Sequence, residues 1–85
     1  MKQKSILPVV VEICRDIDDL FLHYVGPVGA LLCEETFENW QTQYRPAALE
    51  IPHYIEMLAV QIPDKVKKVQ FSKEALTRIN NHIRA

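Results

Sequence analysis

The chain has 85 residues, of which 48% are hydrophobic, and its formal net charge is −1 at pH 7. This length predicts one domain over residues 1–85, with a hydrophobic fraction that is high for so small a core. The small net charge provides no long-range field for nucleic acid or an anionic membrane, and no apolar run reaches the roughly 18 residues that span a bilayer.

The first predicted element is a helix over residues 6–24, where apolar side chains recur at steps of three and four residues. Ser5 is the expected N-terminal cap, and Pro8 is tolerated because the first turn's amides have no intrahelical partner. Four further apolar residues widen the arc to about 220°, beyond the roughly 100° of a surface helix: Val11, Cys14, Leu22 and Val25. We therefore expect this helix to be central or to contact two partners.

A tight corner is predicted after the first helix, at both glycines of the chain. Gly26 falls where the helix must end, and glycine adopts the positive φ that terminates helices. Pro27 suits the first position of a second helix over residues 27–43. Gly29 lies on the core face of that helix, where its missing side chain lets a neighbouring helix approach closely. An anion site at these amides is the alternative, disfavoured because no basic residue lies nearby.

Two more helices are predicted after the longest connection, over residues 51–62 and 65–84. Pro63 ends the third helix, and Asp64 is a good cap for the fourth. The core stripe expected in the fourth helix consists of Val66, Val69, Leu76, Ile79 and Ile83. Phe71 falls off this stripe, which leaves a break in the helix near residue 71 open. Because no segment alternates with a period of two, the sequence predicts an all-α fold, a compact and mostly antiparallel four-helix bundle.

No motif identifies a catalytic, cofactor-binding or metal site. Asp16 and Asp19 share one helix face, which is typical of a solvated surface rather than of a metal site. Asp18 falls inside the apolar arc, where we expect a basic partner from the fourth helix or from another subunit. Cys14 and Cys33 lie on apolar faces at different levels of the helical hairpin, which predicts core thiols rather than a disulfide. The three histidines lack the i, i+4 spacing of a helical zinc pair.

Aromatic residues flank the longest connection. Trp40, Tyr44 and Tyr54 are expected to form one cluster, either in the core or as a partly exposed anchor for a partner. Trp and Tyr are enriched in interface hot spots, which is the reason for the second interpretation.

Charge is distributed unevenly along the chain. Residues 1–63 carry nine acids and four bases, whereas residues 64–85 carry two acids and six bases. We expect these charges to be neutralised between neighbouring helices or subunits. Nucleic-acid binding by the basic fourth helix is disfavoured, because its Lys and Arg residues surround the helix without interleaved exposed aromatics.

Two stretches carry a family resemblance. The stretch LFLHYVGPVGALLCEE, residues 20–35, resembles the Tyr-Ile-Gly-Pro-Ile-Ala signature of a small helical module of unknown function. That module is appended to bacterial, often cyanobacterial, serine/threonine kinases and response regulators. The stretch LAVQIPD, residues 58–64, is similar to its later Leu-Ala-x-x-Ile-Pro element. Tyr24, Gly26 and Pro27 match, while Gly29 stands where the family more often has alanine. The resemblance implies a signalling context and no catalytic residues.

These observations favour a non-enzymatic protein-interaction or regulatory adaptor module that acts in signalling as a homodimer. A small domain that cannot bury all its apolar side chains covers the remainder by association. The residues expected at the interface are Val11, Leu22, Val25, Leu31, Met57 and Val60. The alternative is a small-ligand sensor that holds an apolar or anionic molecule between helices. Because charged residues from Glu12 onward interrupt the N-terminal apolar run, we expect no secretory leader and a cytoplasmic chain that does not bind membranes.

Overall fold

The computed structural model describes residues 6–84, with side chains through residue 82. Within that range the chain forms α-helices and one short 3-10 helix, Ala48–Glu50, and no strand. The α-helices in chain order are α1 Pro8–Val25, α2 Gly29–Gln43, α3 Ile51–Ala59 and α4 Lys65–Arg84. The all-α bundle predicted from the sequence is thereby confirmed. Ser5, the predicted cap, and the side chains of Ile83 and Arg84 lie outside this description.

The corner between α1 and α2 is made by glycine geometry. Gly26 has φ 81° and ψ −166°, a conformation that is open to glycine and costly for other residues. Its amide donates to the Leu22 carbonyl at 2.8 Å and so closes the last turn of α1. The predicted start of the second helix at Pro27 is wrong by two residues, because Pro27 lies in a turn and α2 begins at Gly29.

The third helix is shorter than predicted. It ends at Ala59, and the amides of Gln61 and Ile62 donate to the carbonyls of Leu58 and Ala59 at 3.0 Å in a tighter turn. Ile62 is nonetheless buried, so the core extends past the end of the helix. The short 3-10 helix before α3 was not predicted from the sequence.

The first helix contacts each of the other three α-helices, and so does α3. This arrangement explains the wide apolar arc of α1, which has core on several sides. The buried residues of α1 are Val10, Ile13, Cys14, Ile17, Leu20 and Phe21. The helices α1 and α3 are therefore the central pair of the bundle.

The predicted core stripe of the fourth helix is wrong for three of its members, since Val66, Val69 and Leu76 are exposed. The side chains of α4 that are buried are Phe71, Ala75 and Ile79. Phe71 has no exposed surface, and its ring contacts those of Phe21 and Tyr24 edge-to-face, with centroids 5.5 and 6.0 Å apart. Burying one phenylalanine in this aromatic contact outweighs burying valines, and it rotates α4 away from the predicted face. The helix is continuous through residues 71–72.

An ion-pair cluster joins α1 to the far end of α4. Asp16 accepts hydrogen bonds from the Arg78 guanidinium and, at 3.2 Å, is in contact with Nε2 of His82. The α4 bases that could have paired with Asp18 thus contact Asp16, which lies two residues earlier on a different face of α1. A basic partner for Asp18 from another subunit stays a prediction. Both acid and bases are partly exposed, so the cluster contributes on the order of 1 kcal/mol and chiefly fixes how α4 lies on α1.

The aromatic cluster has a different membership from the predicted one. Phe37, Trp40 and Tyr54 pack with ring centroids 5.6 to 5.8 Å apart. Tyr44 lies outside this triad and stacks on the His53 ring at 4.3 Å.

Candidate functional site

An open groove of about 310 Å³ lies between α1 and α2. Its apolar wall residues are Val11, Leu22, Ala30 and Phe37. The other lining residues are the thiols Cys14 and Cys33 and the charged side chains Arg15, Asp18 and Glu34. Alanine and cysteine occupy positions where a leucine would fill the space, so the small size of these side chains leaves the groove open. Its volume is at the lower end of the range of ligand pockets, about 300–1,000 Å³.

The corner residue Gly29 sets how closely the two helices approach at one end of this groove. A Cβ atom at Gly29 would lie 2.6 Å from Cγ2 of Val25 and 2.8 Å from Cδ2 of Leu22. An alanine here, as the resembling family more often has, would push these two side chains outward. Val25 and Leu22 are half-buried, and Leu22 is also a wall of the groove.

Asp18 is the polar group at the floor of the groove. Its Oδ1 accepts a hydrogen bond from the Tyr54 hydroxyl at 2.5 Å. Burial raises the pKa of the Asp18 carboxyl, and hydrogen bonds from Tyr54 and Cys33 only partly offset this effect. The carboxylate is therefore held in a place that disfavours its charge, which is a property of functional sites more often than of surface acids.

Both thiols beside Asp18 are unreactive. Burial and the nearby Asp18 charge raise the pKa of Cys14 and that of Cys33 to about 12. At neutral pH both thiols are therefore protonated. Because only the thiolate form is nucleophilic, both cysteines behave as small apolar side chains. Both cysteines are free.

Acidic side chains line the groove from both helices, Asp18 on α1 and Glu34 on α2. Close to them in sequence, Asp19 on α1 and Glu38 on α2 are also exposed. Arg15 is the basic residue that lines the groove. The borders thus carry more negative than positive charge, which favours a cationic or neutral occupant over an anionic one.

The residues predicted to form an interface are not all brought together. Val11 and Leu22 both lie on α1 and line the same wall of the groove. Leu31 is exposed on the outer side of α2, and Val60 is exposed at the end of α3. Met57 packs partly buried against the core.

An exposed apolar face on α4 is the feature that sequence reasoning missed. Val66, Val69 and Leu76 are 65%, 52% and 46% exposed, and the exposed Lys73 lies on the same face. The residue that could have revealed this face is Phe71. Burial of its ring removes more apolar surface from water than burial of the Val66, Val69 or Leu76 side chain does. We define Val66, Val69, Lys73 and Leu76 as the α4 stripe.

The basic residues of α4 do not form one patch. Arg78 is engaged with Asp16, whereas Lys65 and Lys67 are exposed near the start of the helix. The amides of Val66 and Lys67 are capped by the Asp64 carboxylate at 2.8 and 3.1 Å. The sequence disfavours nucleic-acid binding, and this stays a prediction. The salt dependence of binding to a labelled duplex is its test.

Replacing Asp18 by asparagine is expected to stabilise the chain at pH 7. The carboxyl has a higher pKa in the folded chain than its ordinary value of 3.8, so its contribution to stability is complete below pH 3.8 and is lost as the pH rises through the folded pKa. An asparagine keeps an acceptor for Tyr54 and carries no charge to desolvate. Urea unfolding of both proteins at several pH values measures this difference, which should shrink toward low pH.

Glu35→Gln, at an exposed position on α2, serves as the control and should show little change at either pH. A lower free energy of unfolding for Asp18→Asn than for the wild type at pH 7 would contradict the conclusion that burial disfavours the charged form of Asp18.

Comparison with known proteins gives one family. The family described as Domain of unknown function (DUF8082) matches residues 12–84. No curated protein and no solved structure shows a significant match. In the part of the chain that the structure describes, no group of three or more potential ligands could hold a metal ion. No helix in that part is long and apolar enough to cross a membrane.

Proposed function

This chain belongs to the DUF8082 family of domains of unknown function, and we propose that it is a non-enzymatic protein-interaction module. Its binding surface is the groove between α1 and α2, which takes an apolar helix face from another polypeptide. The signalling context follows from the resemblance to modules of kinases and response regulators, and the proposed compartment is the cytoplasm. The module acts by bringing polypeptides together.

The observation that carries this proposal is the groove itself, with apolar walls, acidic borders and a strained carboxylate at its floor. An amphipathic helix buries apolar side chains in such a groove and presents its polar side to the borders. The thiols in the groove offer no nucleophile at neutral pH, which supports binding over catalysis.

A photo-crosslinking residue at Ala30 tests the proposal in the native host. Ala30 is exposed and lines the groove, so a compact aliphatic diazirine residue at this position, which fills less of the groove than arginine does, is expected to form an adduct with a polypeptide. The matched control carries the same residue at Asn39, an exposed position on the opposite side of α2. Adducts are identified by mass spectrometry after purification of the tagged chain. Equal labelling at both positions, or no polypeptide adduct at Ala30, would contradict the proposal.

A small ligand in the same groove is the second candidate, because the volume of about 310 Å³ also suits a small molecule. Asp18 and Glu34 favour an apolar or cationic molecule over the anionic one considered from the sequence. Native mass spectrometry of the purified chain would then show a bound mass that is lost when Ala30 is replaced by arginine. A polypeptide adduct at Ala30, together with a native mass spectrum that shows no bound small molecule, favours the interaction module.

A further inference from the structure

We infer that the groove receives the α4 stripe of a second copy of this chain, an inference that rests on the proposed function and names the partner of its binding site. The groove and the stripe are both largely apolar surfaces that no other element covers in the described part of the chain. They agree in residue spacing, and hence in length, and they also agree in charge.

The stripe is suited to a groove between two helices. Its residues fall within an arc of about 80° at 100° per residue, which is the width of a helix face that packs into one seam. Val66 and Val69 are more than half exposed, and Leu76 is nearly so. No carboxylate of the described side chains pairs with Lys73. Burial of this face would remove three large apolar side chains from water.

The residues of α1 in the groove and those of the stripe follow nearly the same spacing. Along α1 the lining residues at steps of three, four and four are Val11, Cys14, Asp18 and Leu22. Along α4 the residues at steps of three, four and three are Val66, Val69, Lys73 and Leu76. Each set spans about 15 to 16 Å of helix at roughly 1.5 Å per residue. The two surfaces can therefore be in register over their whole length.

Charge selects the direction of α4 in the groove. When α4 runs parallel to α1, Val66 lies beside Val11 and the ammonium group of Lys73 lies beside the carboxylate of Asp18. In the reverse direction Lys73 lies beside Cys14, and Val69 takes the place next to Asp18. The parallel arrangement thus supplies a cation besides Arg15 to a carboxylate that forms no salt bridge among the described residues, whereas the reverse arrangement leaves it against a valine.

The same charges disfavour a dimer in which two grooves face each other. Exposed acids on both borders would then be opposed to identical acids, which is repulsive at short range. A contact between groove and stripe joins two different surfaces. A single contact leaves one groove and one stripe free, whereas a two-fold dimer makes the contact twice, once in each direction. Two copies, the homodimer expected from the sequence, form the smallest assembly in either case.

Complementation between two defective variants tests this arrangement. Leu76→Glu removes the stripe and keeps the groove, whereas Ala30→Arg fills the groove and keeps the stripe. Each variant alone is expected to associate at least about tenfold more weakly than the wild type. An equimolar mixture is expected to form a defined 1:1 dimer, because one intact groove then meets one intact stripe. Sedimentation equilibrium measures the masses, and circular dichroism verifies that each variant is folded.

The controls change exposed residues outside both surfaces. Asn81→Glu on α4 and Asn39→Arg on α2 introduce the same side chains and should associate like the wild type. If Leu76→Glu or Ala30→Arg does not fold, Val69→Glu and Glu34→Lys take their places.

Three results would overturn the inference: a wild-type chain that is monomeric up to about 1 mM, variants that associate as the wild type does, or folded variants whose mixture stays monomeric. A monomeric wild type whose Ala30 position crosslinks to a foreign polypeptide overturns this inference and leaves the proposed function standing. If no polypeptide adduct forms at Ala30, both this inference and the proposed function are contradicted.

Discussion

Replacing Phe71 by alanine is expected to lower the free energy of unfolding by about 3–5 kcal/mol. Phe71 has no exposed surface and holds α4 against α1 through its contacts with the rings of Phe21 and Tyr24. Alanine would leave a cavity between these two helices. For a chain of this size the total stability is about 5–10 kcal/mol, so the variant should be partly unfolded at physiological temperature. Urea unfolding followed by far-ultraviolet circular dichroism measures the change.

Leu76→Ala is the matched variant on the same helix. Leu76 is 46% exposed, so its truncation should change the free energy of unfolding by less than about 1 kcal/mol at dilutions where the chain is monomeric. The sequence pattern alone assigns the opposite order to these two positions. A larger loss for Leu76→Ala than for Phe71→Ala would show that α4 packs in the register first predicted.

Replacing Trp40 by alanine is expected to cost about 3–5 kcal/mol as well. The indole is fully buried among Phe37 and Tyr54, and its Nε1 donates to the Glu50 carbonyl at 2.8 Å. This one side chain thus fills the core between α2 and α3 and fastens the connection that precedes α3. Chemical denaturation by circular dichroism is the measurement, because the variant lacks the single tryptophan of the chain.

Trp40→Phe separates the two contributions. Phenylalanine retains most of the packing but loses the hydrogen bond from the indole to the Glu50 carbonyl, for an expected cost of about 0.5–1.5 kcal/mol. Asn39→Ala, at the exposed neighbouring position, is the control and should lie near zero. Equal stability of Trp40→Ala and Asn39→Ala would mean that the aromatic triad does not hold this part of the bundle.

The helical periodicity of apolar residues was sufficient to predict the helices and their order, together with the helix-ending Gly26 and Pro63 and the capping Asp64. The same information placed α4 in the wrong rotation about its axis. A count of apolar positions treats Val66 and Phe71 alike, although a buried phenylalanine removes more apolar surface from water and makes specific ring contacts. Rotation of a helix is decided by such partners on other helices, and these are not visible in a local pattern.

The candidate site was predictable only in part. The wide arc of α1 singled out Val11 and Leu22, and Asp18 was noted as a polar residue inside that arc. Charge alone predicted a basic partner for Asp18 from α4 or from another subunit. Within the described chain its hydrogen-bond donor is instead the Tyr54 hydroxyl of α3, which carries no charge to suggest it, and a partner from another subunit stays a prediction. The groove itself depends on small side chains from two helices meeting at one level, which requires the hairpin geometry.

The contact between α1 and α4 has a consequence for how the molecule is made. Neighbouring helices in the chain also touch one another, but α1 meets α4 through residues that lie far apart in sequence, such as the pairs Asp16–Arg78 and Phe21–Phe71. During synthesis, the side of α1 that packs against α4 stays uncovered until residue 82 has left the ribosome. The emerging chain is therefore expected to be more vulnerable to proteases and to aggregation before α4 is available than after α4 has packed on α1.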